Sequence, residues 1–250
     1  MTKPSIKKRS VPLIQLLPNL MTIMAICAGL TAIRFGFEGN YETSVRLILV
    51  ACILDGLDGR LARILKAESP IGAELDSLAD FVNFGVAPVL ILHSWILSEF
   101  SGAGWIAALS YSICCVLRLA RFNVSNRLET DSAAADFFVG VPAPAGAMLV
   151  LLPMVLSFAF SGEPLISPVL TAAYVCAIGL LMISRIPTYS FKRVMVAQKN
   201  TKFVLLGTVL LIAALLTYLW ATLALLSFVY ICIVLWSQKF ARLPKQPTGE

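Results

Sequence analysis

Four aspartates lie close together in a part of the chain that is bounded by apolar sequence, and this feature constrains the fold most. They are Asp55, Asp58, Asp76 and Asp80. The flanking segments, residues 47–54 and 86–92, contain no charged residue. Charged groups at membrane depth are costly, so such residues face a cavity or a partner and usually mark function. The sequence therefore predicts an internal acidic site among apolar helices.

The spacing of these acids predicts that they converge. Asp55 and Asp58 are three residues apart, and Asp76 and Asp80 are four apart, so each pair shares one face of a helix. Two such helix ends facing each other would place four mutually repelling carboxylates around one point. Hard divalent cations such as Mg²⁺, Mn²⁺ or Ca²⁺ neutralise oxygen-rich clusters of this kind. Acids that line a water-filled pore, or that form buried ion pairs, are the alternative.

Small and basic residues beside the acids indicate a phosphate ligand. Gly59 and Ala62 leave room for a ligand next to the helix backbone, and Arg63 lies one turn from Gly59. An arginine there is suited to bidentate pairing with a phosphate. Gly72 opens the second helix after 69–70, and helix N-termini attract anions. Together with a metal pair, this pattern suggests phosphoryl-group chemistry.

The composition indicates a membrane protein. Apolar residues make up 58% of the 250 residues, above the roughly 45–50% that is usual in soluble domains. We predict an all-α fold, a polytopic transmembrane helix bundle of about eight spans, because several apolar runs reach the about 20 residues that cross a bilayer. The expected spans are about 17–35, 44–66, 72–97, 105–123, 139–160, 166–187, 203–218 and 223–236. A single long bent helix is the alternative for the last two.

The distribution of positive charge predicts the orientation. The predicted loops on one side hold 18 of the 20 Lys and Arg residues, and only Arg34 and Arg46 fall on the other side. By the positive-inside rule, both termini and the acidic cluster face the cytoplasm of a multi-pass protein in the cell inner (cytoplasmic) membrane. The net charge of +6 therefore requires no nucleic acid partner. The six cysteines lack a CxxC pattern, so we expect neither a zinc site nor a disulfide framework.

A specific signature runs through the acidic region. It reads Asp55-x-x-Asp58-Gly59-x-x-Ala62-Arg63, then eight residues, then Gly72-x-x-x-Asp76-x-x-x-Asp80. This pattern resembles the signature of the CDP-alcohol phosphotransferases at every defined position. The resemblance implies transfer of a phosphatidyl-type group from a CDP-linked donor to an alcohol, with release of CMP. It also implies a homodimer, a catalytic membrane domain with a six-helix core at 1–193 after an N-terminal juxtamembrane segment, and a C-terminal two-span extension with a basic tail at 194–250.

Three further stretches, 76–88, 118–123 and 138–144, resemble the bacterial integral-membrane phosphatidylserine synthases. The resemblance covers roughly residues 12–193 and implies CDP-diacylglycerol and L-serine as substrates, with membrane lipids around the protein. Asn83 departs from the serine expected in many relatives. Glycerol-3-phosphate, inositol phosphate and choline remain alternative acceptors. An ion or metal transporter is conceivable from the acids alone, but that function does not explain the glycines and arginine of the signature.

The resemblance also implies roles for individual residues. Two divalent metal ions, Mg²⁺ or Mn²⁺, would be held in each active site by Asp55, Asp58, Asp76 and Asp80. Asp80 would also act as the general base that takes the proton of the serine hydroxyl. The CDP-lipid would contact Gly59, Ala62, Arg63 and Gly72, with Asn19 and Thr22 near the base. Serine or the lipid phosphate would contact Arg118, Arg121 and Asn83. Arg118 and Arg121 share a helix face, and an ordinary role as basic residues flanking a span explains them equally well.

Overall fold

Helices occupy every predicted span. The computed structural model describes residues 13–128, 137–160, 162–184, 187–189 and 201–241. In these ranges the helices are α1 (Leu17–Phe37), α2 (Tyr41–Ile64), α3 (Pro70–Asp80), α4 (Ala87–Trp95), α5 (Ser101–Leu128), α6 (Ala143–Val150), α7 (Leu152–Phe160), α8 (Pro168–Ile183), α9 (Thr201–Thr217) and α10 (Leu219–Ala241). The predicted juxtamembrane segment and the basic tail fall mainly outside the described residues, as does most of the basic connection after the sixth span.

Local caps define where the helices around the acidic region begin. The Asn40 side chain accepts a hydrogen bond of 3.2 Å from the backbone N–H of Thr43 at the start of α2. The Ser69 hydroxyl accepts one of 3.0 Å from the Gly72 N–H at the start of α3. Both are N-cap bonds, which satisfy donors that the first helical turn leaves free. Pro70 occupies the first position of α3, where its missing N–H is not needed. The helix therefore begins two residues before the predicted glycine.

The third predicted span is one run of helix, Pro70–Trp95, with a π-helical segment inside it. This segment (Phe81–Val86) follows directly after Asp80 and separates α3 from α4. Two carbonyl groups within it accept bonds from α5: Tyr111 donates to the Phe84 oxygen and Ser112 to the Gly85 oxygen, both at 2.9 Å. Such π segments are frequent at functional sites. Here the bonds hold the aspartate-bearing helix against α5.

The fifth predicted span is broken. Helices α6 and α7 meet at an angle of 45°, and a short strand, β1 (Phe137–Val139), precedes them and pairs antiparallel with β2 (Pro187–Tyr189). The sequence predicted neither the bend nor the strands. Gly140 follows β1 with φ of +86°, and a Cβ there would lie 2.6 Å from the Met182 carbonyl oxygen. Only glycine fits this position, because the left-handed conformation and the close approach both exclude a side chain.

Within the described ranges, four helical runs are long and apolar enough to cross a membrane, and α6 with α7 makes a fifth if the bent pair is one span. The four are Leu17–Phe37, Pro70–Trp95, Gly102–Ser125 and Leu219–Trp236. Helix α2 is long enough but carries six charged side chains, whereas α8 and Val204–Thr217 are apolar but shorter. The chain is a polytopic helical membrane protein, as predicted, although four or five spans meet these criteria where eight were predicted.

Two predicted boundaries are wrong. Helix α5 continues to Leu128, so the fourth span does not end at residue 123. Residues 219–222, predicted as a turn, belong to α10, and only Tyr218 separates this helix from α9. Tyr218 donates to the Ala214 carbonyl at 2.7 Å and accepts from the Thr222 N–H at 3.0 Å. The Thr222 hydroxyl also donates to the Ala214 carbonyl at 3.1 Å, so the junction between the two helices is shorter than the predicted turn.

Small residues bring α1 close to its neighbours. Ala25 and Ala32 of α1 and Ala51 of α2 are fully buried, and α1 and α2 pack together. Small side chains permit such close helix contacts in membranes. The packed α1–α2 pair also contacts α3, which follows α2 after a short turn. These three helices form the corner of the bundle that contains the acidic signature.

Candidate active site

A hydrogen bond joins the first helix to the acidic signature. The Thr22 hydroxyl of α1 donates to Asp58 Oδ2 of α2 at 2.5 Å, and it also lies 3.1 Å from the Pro18 carbonyl oxygen of its own helix. Both side chains are buried, with exposed fractions of 4% for Thr22 and 3% for Asp58. The bond fixes the orientation of the Asp58 carboxylate. Thr22, which was predicted to lie near the nucleotide base, therefore also contacts a predicted metal ligand.

The structure brings the four aspartates together. Asp55 and Asp80 lie within hydrogen-bonding reach of each other, and Asp58 interacts electrostatically with both Asp55 and Asp76. Asp76 in turn interacts with Asp80. None of the four forms an ion pair with an arginine or lysine of the described residues. Within the described residues the four neighbouring carboxylates therefore have no directly ion-paired cationic side chain, although Arg118 acts electrostatically on Asp80.

The chemistry of this donor set fits a hard cation, although its geometry is not that of a closed metal site. The described residues contain no group of three or more His, Cys, Asp or Glu side chains arranged to hold a metal ion. However, Asp55 Oδ1 is buried and has no hydrogen-bond partner in this part of the structure. A buried, unpaired carboxylate oxygen is costly. Carboxylate oxygens are the preferred ligands of Mg²⁺ and Mn²⁺, so a bound cation would satisfy the site.

A cavity of about 490 Å³ opens beside the aspartates, between α1, α2 and α3. All six residues that the sequence assigned to the CDP-lipid line it: Asn19, Thr22, Gly59, Ala62, Arg63 and Gly72. Asp58 and Asp76 also line this cavity, so acidic and small residues of the signature share one space. Residues from three helices and the turn after α2 thus converge on a site of the size that small ligands occupy.

The two glycines of the signature differ in what surrounds them. A Cβ at Gly59 would meet no atom within 4 Å, so this position opens directly into free space. A Cβ at Gly72 would lie 2.9 Å from Asn19 Oδ1 and 3.1 Å from Ser69 Oγ. Gly72 therefore permits a close approach between α3 and α1. Arg63 Nε donates to the Gly59 carbonyl at 3.1 Å, a bond that uses one of the five N–H donors of the guanidinium.

The predicted acceptor residues do not line this cavity. Arg118 Nε donates to the Val141 carbonyl at 2.5 Å, and Arg121 Nη1 donates to the Ile183 carbonyl at 2.9 Å. Each arginine thus braces the end of another segment. Arg118 also interacts electrostatically with Asp80, whereas no such contact links Arg121 to the four aspartates.

Asn83 is fully buried in the π-helical segment. Neither polar atom of its amide has a hydrogen-bond partner among the described residues. It packs against α1 so closely that a Cβ at Gly29 would lie 2.1 Å from Asn83 Oδ1. Its side chain therefore lies deeper in the bundle than the 490 Å³ cavity.

Most of the chain matches a known protein family. A family model described as CDP-alcohol phosphatidyltransferase matches residues 15–183, which include the whole signature. The chain belongs to the CDP-alcohol phosphatidyltransferase family. Helices α1 to α8 account for the match, and α9 and α10 lie outside it.

Several similar proteins are named CDP-diacylglycerol–serine O-phosphatidyltransferase. The protein from Mycobacterium leprae is 49% identical over 188 residues, covering 75% of this chain and 62% of the relative. The Helicobacter pylori relative is 36% identical over 179 residues (72% and 74%), and that of Bacillus subtilis 38% over 178 residues (71% and 92%). This chain spans just over six-tenths of the length of the mycobacterial relatives that it matches.

Sequence reasoning missed one residue near the CDP-alcohol phosphatidyltransferase signature. The Tyr230 hydroxyl of α10 is buried without a hydrogen-bond partner among the described residues, and Tyr230 interacts electrostatically with Arg118. Tyr230 lies in an apolar helix beyond the family match, where no spacing rule connects it to α5. A polar hydroxyl within that apolar helix was the only available signal.

Proposed function

We propose that this protein transfers the phosphatidyl group of CDP-diacylglycerol to the hydroxyl of L-serine, forming phosphatidylserine and CMP. One observation carries the proposal: the six residues expected to contact the CDP-lipid line a single cavity together with Asp58 and Asp76. The choice of serine as acceptor is supported by the names of the mycobacterial, Helicobacter and Bacillus relatives. Phospholipid biosynthesis is accordingly the process in which we place the protein.

The family generally depends on divalent metal ions. We propose that Asp55, Asp58, Asp76 and Asp80 hold two such ions, Mg²⁺ or Mn²⁺. The buried, unpaired Asp55 oxygen and the absence of a direct ion pair to these carboxylates among the described residues support this assignment. When bound, the ions would neutralise charge on the diphosphate and on the departing CMP. The Thr22 hydroxyl holds Asp58 in one orientation for this role.

The nucleotide end of the lipid is proposed to occupy the 490 Å³ cavity. Gly59 and Ala62 leave space beside the α2 backbone, and Arg63 carries guanidinium N–H groups suited to a phosphate. Gly72 lies in the first turn of α3, where the helix N-terminus favours an anion. Asn19 and Thr22 are the proposed contacts of the base.

Asp80 is proposed as the general base. It takes the proton of the serine hydroxyl as the serine oxygen attacks the phosphorus that carries the lipid. The new bond joins that oxygen to phosphorus, and the phosphorus–oxygen bond to CMP breaks with its electrons leaving on CMP. Arg118, which interacts electrostatically with Asp80, is the favoured partner of the serine carboxylate or lipid phosphate. Arg121 and Asn83 are further proposed contacts.

The proposed location is the bacterial cytoplasmic membrane, with both termini and the active site facing the cytoplasm. The strong bias of Lys and Arg towards one set of loops supports this orientation. A homodimer is proposed by analogy with the family. Native mass spectrometry of the protein in detergent would give one mass of twice the chain if this is correct, and the chain mass alone if it is not.

The test is CMP release by the purified full chain. The protein is supplied with CDP-diacylglycerol and Mg²⁺ or Mn²⁺, and with serine, glycerol-3-phosphate, inositol phosphate or choline in parallel. We expect release with serine only, and none after chelation of the metal. Release with another alcohol would replace serine by that acceptor within the same chemistry. No release with any alcohol would contradict the proposed function and leave ion transport to be measured by flux into vesicles.

A further inference from the structure

The π-helical segment Phe81–Val86 separates a loosely packed helix from a firmly packed one. Helix α3, which carries Asp76 and Asp80, buries only Ala79 among its eleven residues. Helix α4 buries five of its nine residues in the core. A change of helical conformation between these two helices would therefore move α3, together with its two aspartates, while α4 stays in place.

The π-helical conformation sets the rotation of α3 about its axis. The Ala87 N–H donates to the Val82 carbonyl, five residues earlier, so this turn holds one residue more than an α-helical turn. An α-helix turns by about 100° for each residue. If the segment became α-helical, α3 would rotate by about this angle relative to α4. Asp76 and Asp80 would then turn away from the aspartates of α2.

A proline leaves one carbonyl of the segment without its usual α-helical donor. In an α-helix the Phe84 carbonyl would accept from the N–H of residue 88, but this residue is Pro88, which has no N–H and whose ring crowds that carbonyl. The hydroxyl of the fully buried Tyr111 donates to the Phe84 carbonyl instead, at 2.9 Å. A buried polar group without a partner is costly, so this bond stabilises the π-helical conformation.

Helix α5 approaches the aspartate helix closely on both sides of Asp80. A Cβ at Gly85 would lie 3.0 Å from a cysteine sulfur of α5, so glycine permits this approach. The Ser112 hydroxyl of α5 donates to the Gly85 carbonyl at 2.9 Å. Before Asp80, the Asn123 amide of α5 donates to the Ser77 hydroxyl at 3.0 Å. These bonds hold α5 where the Tyr111 hydroxyl reaches the segment.

We propose that Tyr111 is a positioning residue for the aspartates of α3. Its hydrogen bond keeps the segment after Asp80 π-helical, and this conformation turns Asp76 and Asp80 towards α2. The inference rests on the proposed function and extends it to a residue that does not line the 490 Å³ cavity. Loss of the Tyr111 hydroxyl therefore lowers the affinity of the aspartates for a divalent metal ion.

The chain offers a matched control at the bend between α6 and α7. The Leu149 carbonyl also lacks an α-helical donor, because the residue four positions later is Pro153. The Tyr174 hydroxyl of α8 donates to this carbonyl at 2.7 Å. Tyr174→Phe thus removes the same kind of bond as Tyr111→Phe, but at a bend that carries none of the four aspartates.

The first test measures Mn²⁺ binding to the purified full chain without substrate, from the electron paramagnetic resonance signal of the free ion. We expect Tyr111→Phe to raise the Kd for Mn²⁺ about tenfold or more, as for other residues that orient metal ligands. Tyr174→Phe should leave the Kd unchanged, although both variants lose one hydrogen bond and unfold at a lower temperature. Equal Mn²⁺ affinities in the two variants would overturn the proposal.

The second test separates positioning from stability. Adding Pro88→Ala to Tyr111→Phe gives the Phe84 carbonyl an N–H donor in its own helix, which favours the α-helical conformation. We expect the thermal unfolding midpoint to recover towards that of the wild type, while Mn²⁺ binding stays weak. Recovery of Mn²⁺ affinity together with stability would contradict the proposal. Failure of the proposed function would instead appear as a wild-type chain that binds Mn²⁺ but releases no CMP.

Discussion

The Thr22 hydroxyl donates a 2.5 Å hydrogen bond to Asp58, and this contact links α1 to the acidic signature on α2. Asp58 is one of the proposed metal ligands, so Thr22 acts on the metal through the orientation of that carboxylate. Mutating a partner that orients a metal-binding side chain typically lowers metal affinity or activity about 10- to 100-fold.

Thr22→Val should weaken the response to metal. The substitution keeps the shape of the side chain and removes the donor, so we expect the Mg²⁺ or Mn²⁺ concentration for half-maximal CMP release to rise about tenfold or more. Thr31→Val is the matched control, because the Thr31 hydroxyl bonds only to the Cys27 carbonyl of its own helix at 2.6 Å. An unchanged metal requirement in Thr22→Val would contradict the orienting role.

Alanine at the two signature glycines should separate binding from packing. Gly59→Ala meets no atom within 4 Å, so we expect normal thermal stability but a raised KM for CDP-diacylglycerol, because the methyl group enters the proposed nucleotide site. Gly72→Ala should lower stability as well, since its Cβ would press on Asn19 and Ser69. Gly102→Ala, which also meets no atom within 4 Å, is the control. A normal KM in Gly59→Ala would remove that position from the site.

Arg118 and Arg121 should differ in their effect on serine. Both donate to backbone carbonyls, but only Arg118 also interacts with Asp80. We expect Arg118→Lys to raise the KM for serine or CDP-diacylglycerol about tenfold, as for a lost hydrogen bond to a charged group of about 1.5 kcal/mol. Arg121→Lys should have a smaller effect. Initial rates over a range of both substrates measure this, and an equal effect of the two changes would contradict the distinction.

Gly140→Ala should destabilise the protein more than Gly162→Ala. Both glycines have positive φ, +86° and +75°, so each substitution carries the backbone cost of about 1–2 kcal/mol. At Gly140 the new Cβ would also lie 2.6 Å from the Met182 carbonyl oxygen, whereas at Gly162 nothing lies within 4 Å. Thermal unfolding in detergent compares the two variants. Equal thermal unfolding midpoints of the two variants would contradict this prediction, because the Met182 carbonyl would then move away from the new Cβ without loss of stability.

The grouping of the four aspartates could be predicted from the sequence because helical periodicity is local. Spacings of three and four residues determine which side chains share a face, so the convergence of Asp55 with Asp58 and of Asp76 with Asp80 follows from the sequence alone. The same spacing rule predicted that the small residues of the signature lie beside these acids. Apolar runs likewise predicted where helices occur. However, fewer described helices are long and apolar enough to cross a membrane than the eight spans that were predicted.

The remaining features depend on contacts between segments that are distant in the sequence. The π-helical segment after Asp80 is held by hydroxyl groups of α5, and the strand pair joins 137–139 to 187–189. Tyr230 approaches Arg118 only because α10 packs on the core. Spacing within one segment does not predict contacts between distant segments. The carbonyl partners of Arg118 and Arg121 could not be predicted for the same reason.

Serine-dependent CMP release by Asp80→Asn, measured beside the wild type, tests the central claim most directly. Asparagine keeps the size of the side chain but cannot take the proton of the serine hydroxyl. We predict that the variant still binds CDP-diacylglycerol, as measured by retention of the radiolabelled lipid, while CMP release falls to background. Release at the wild-type rate would contradict the assignment of Asp80, and a wild-type protein that releases no CMP with any alcohol would contradict the proposed chemistry itself.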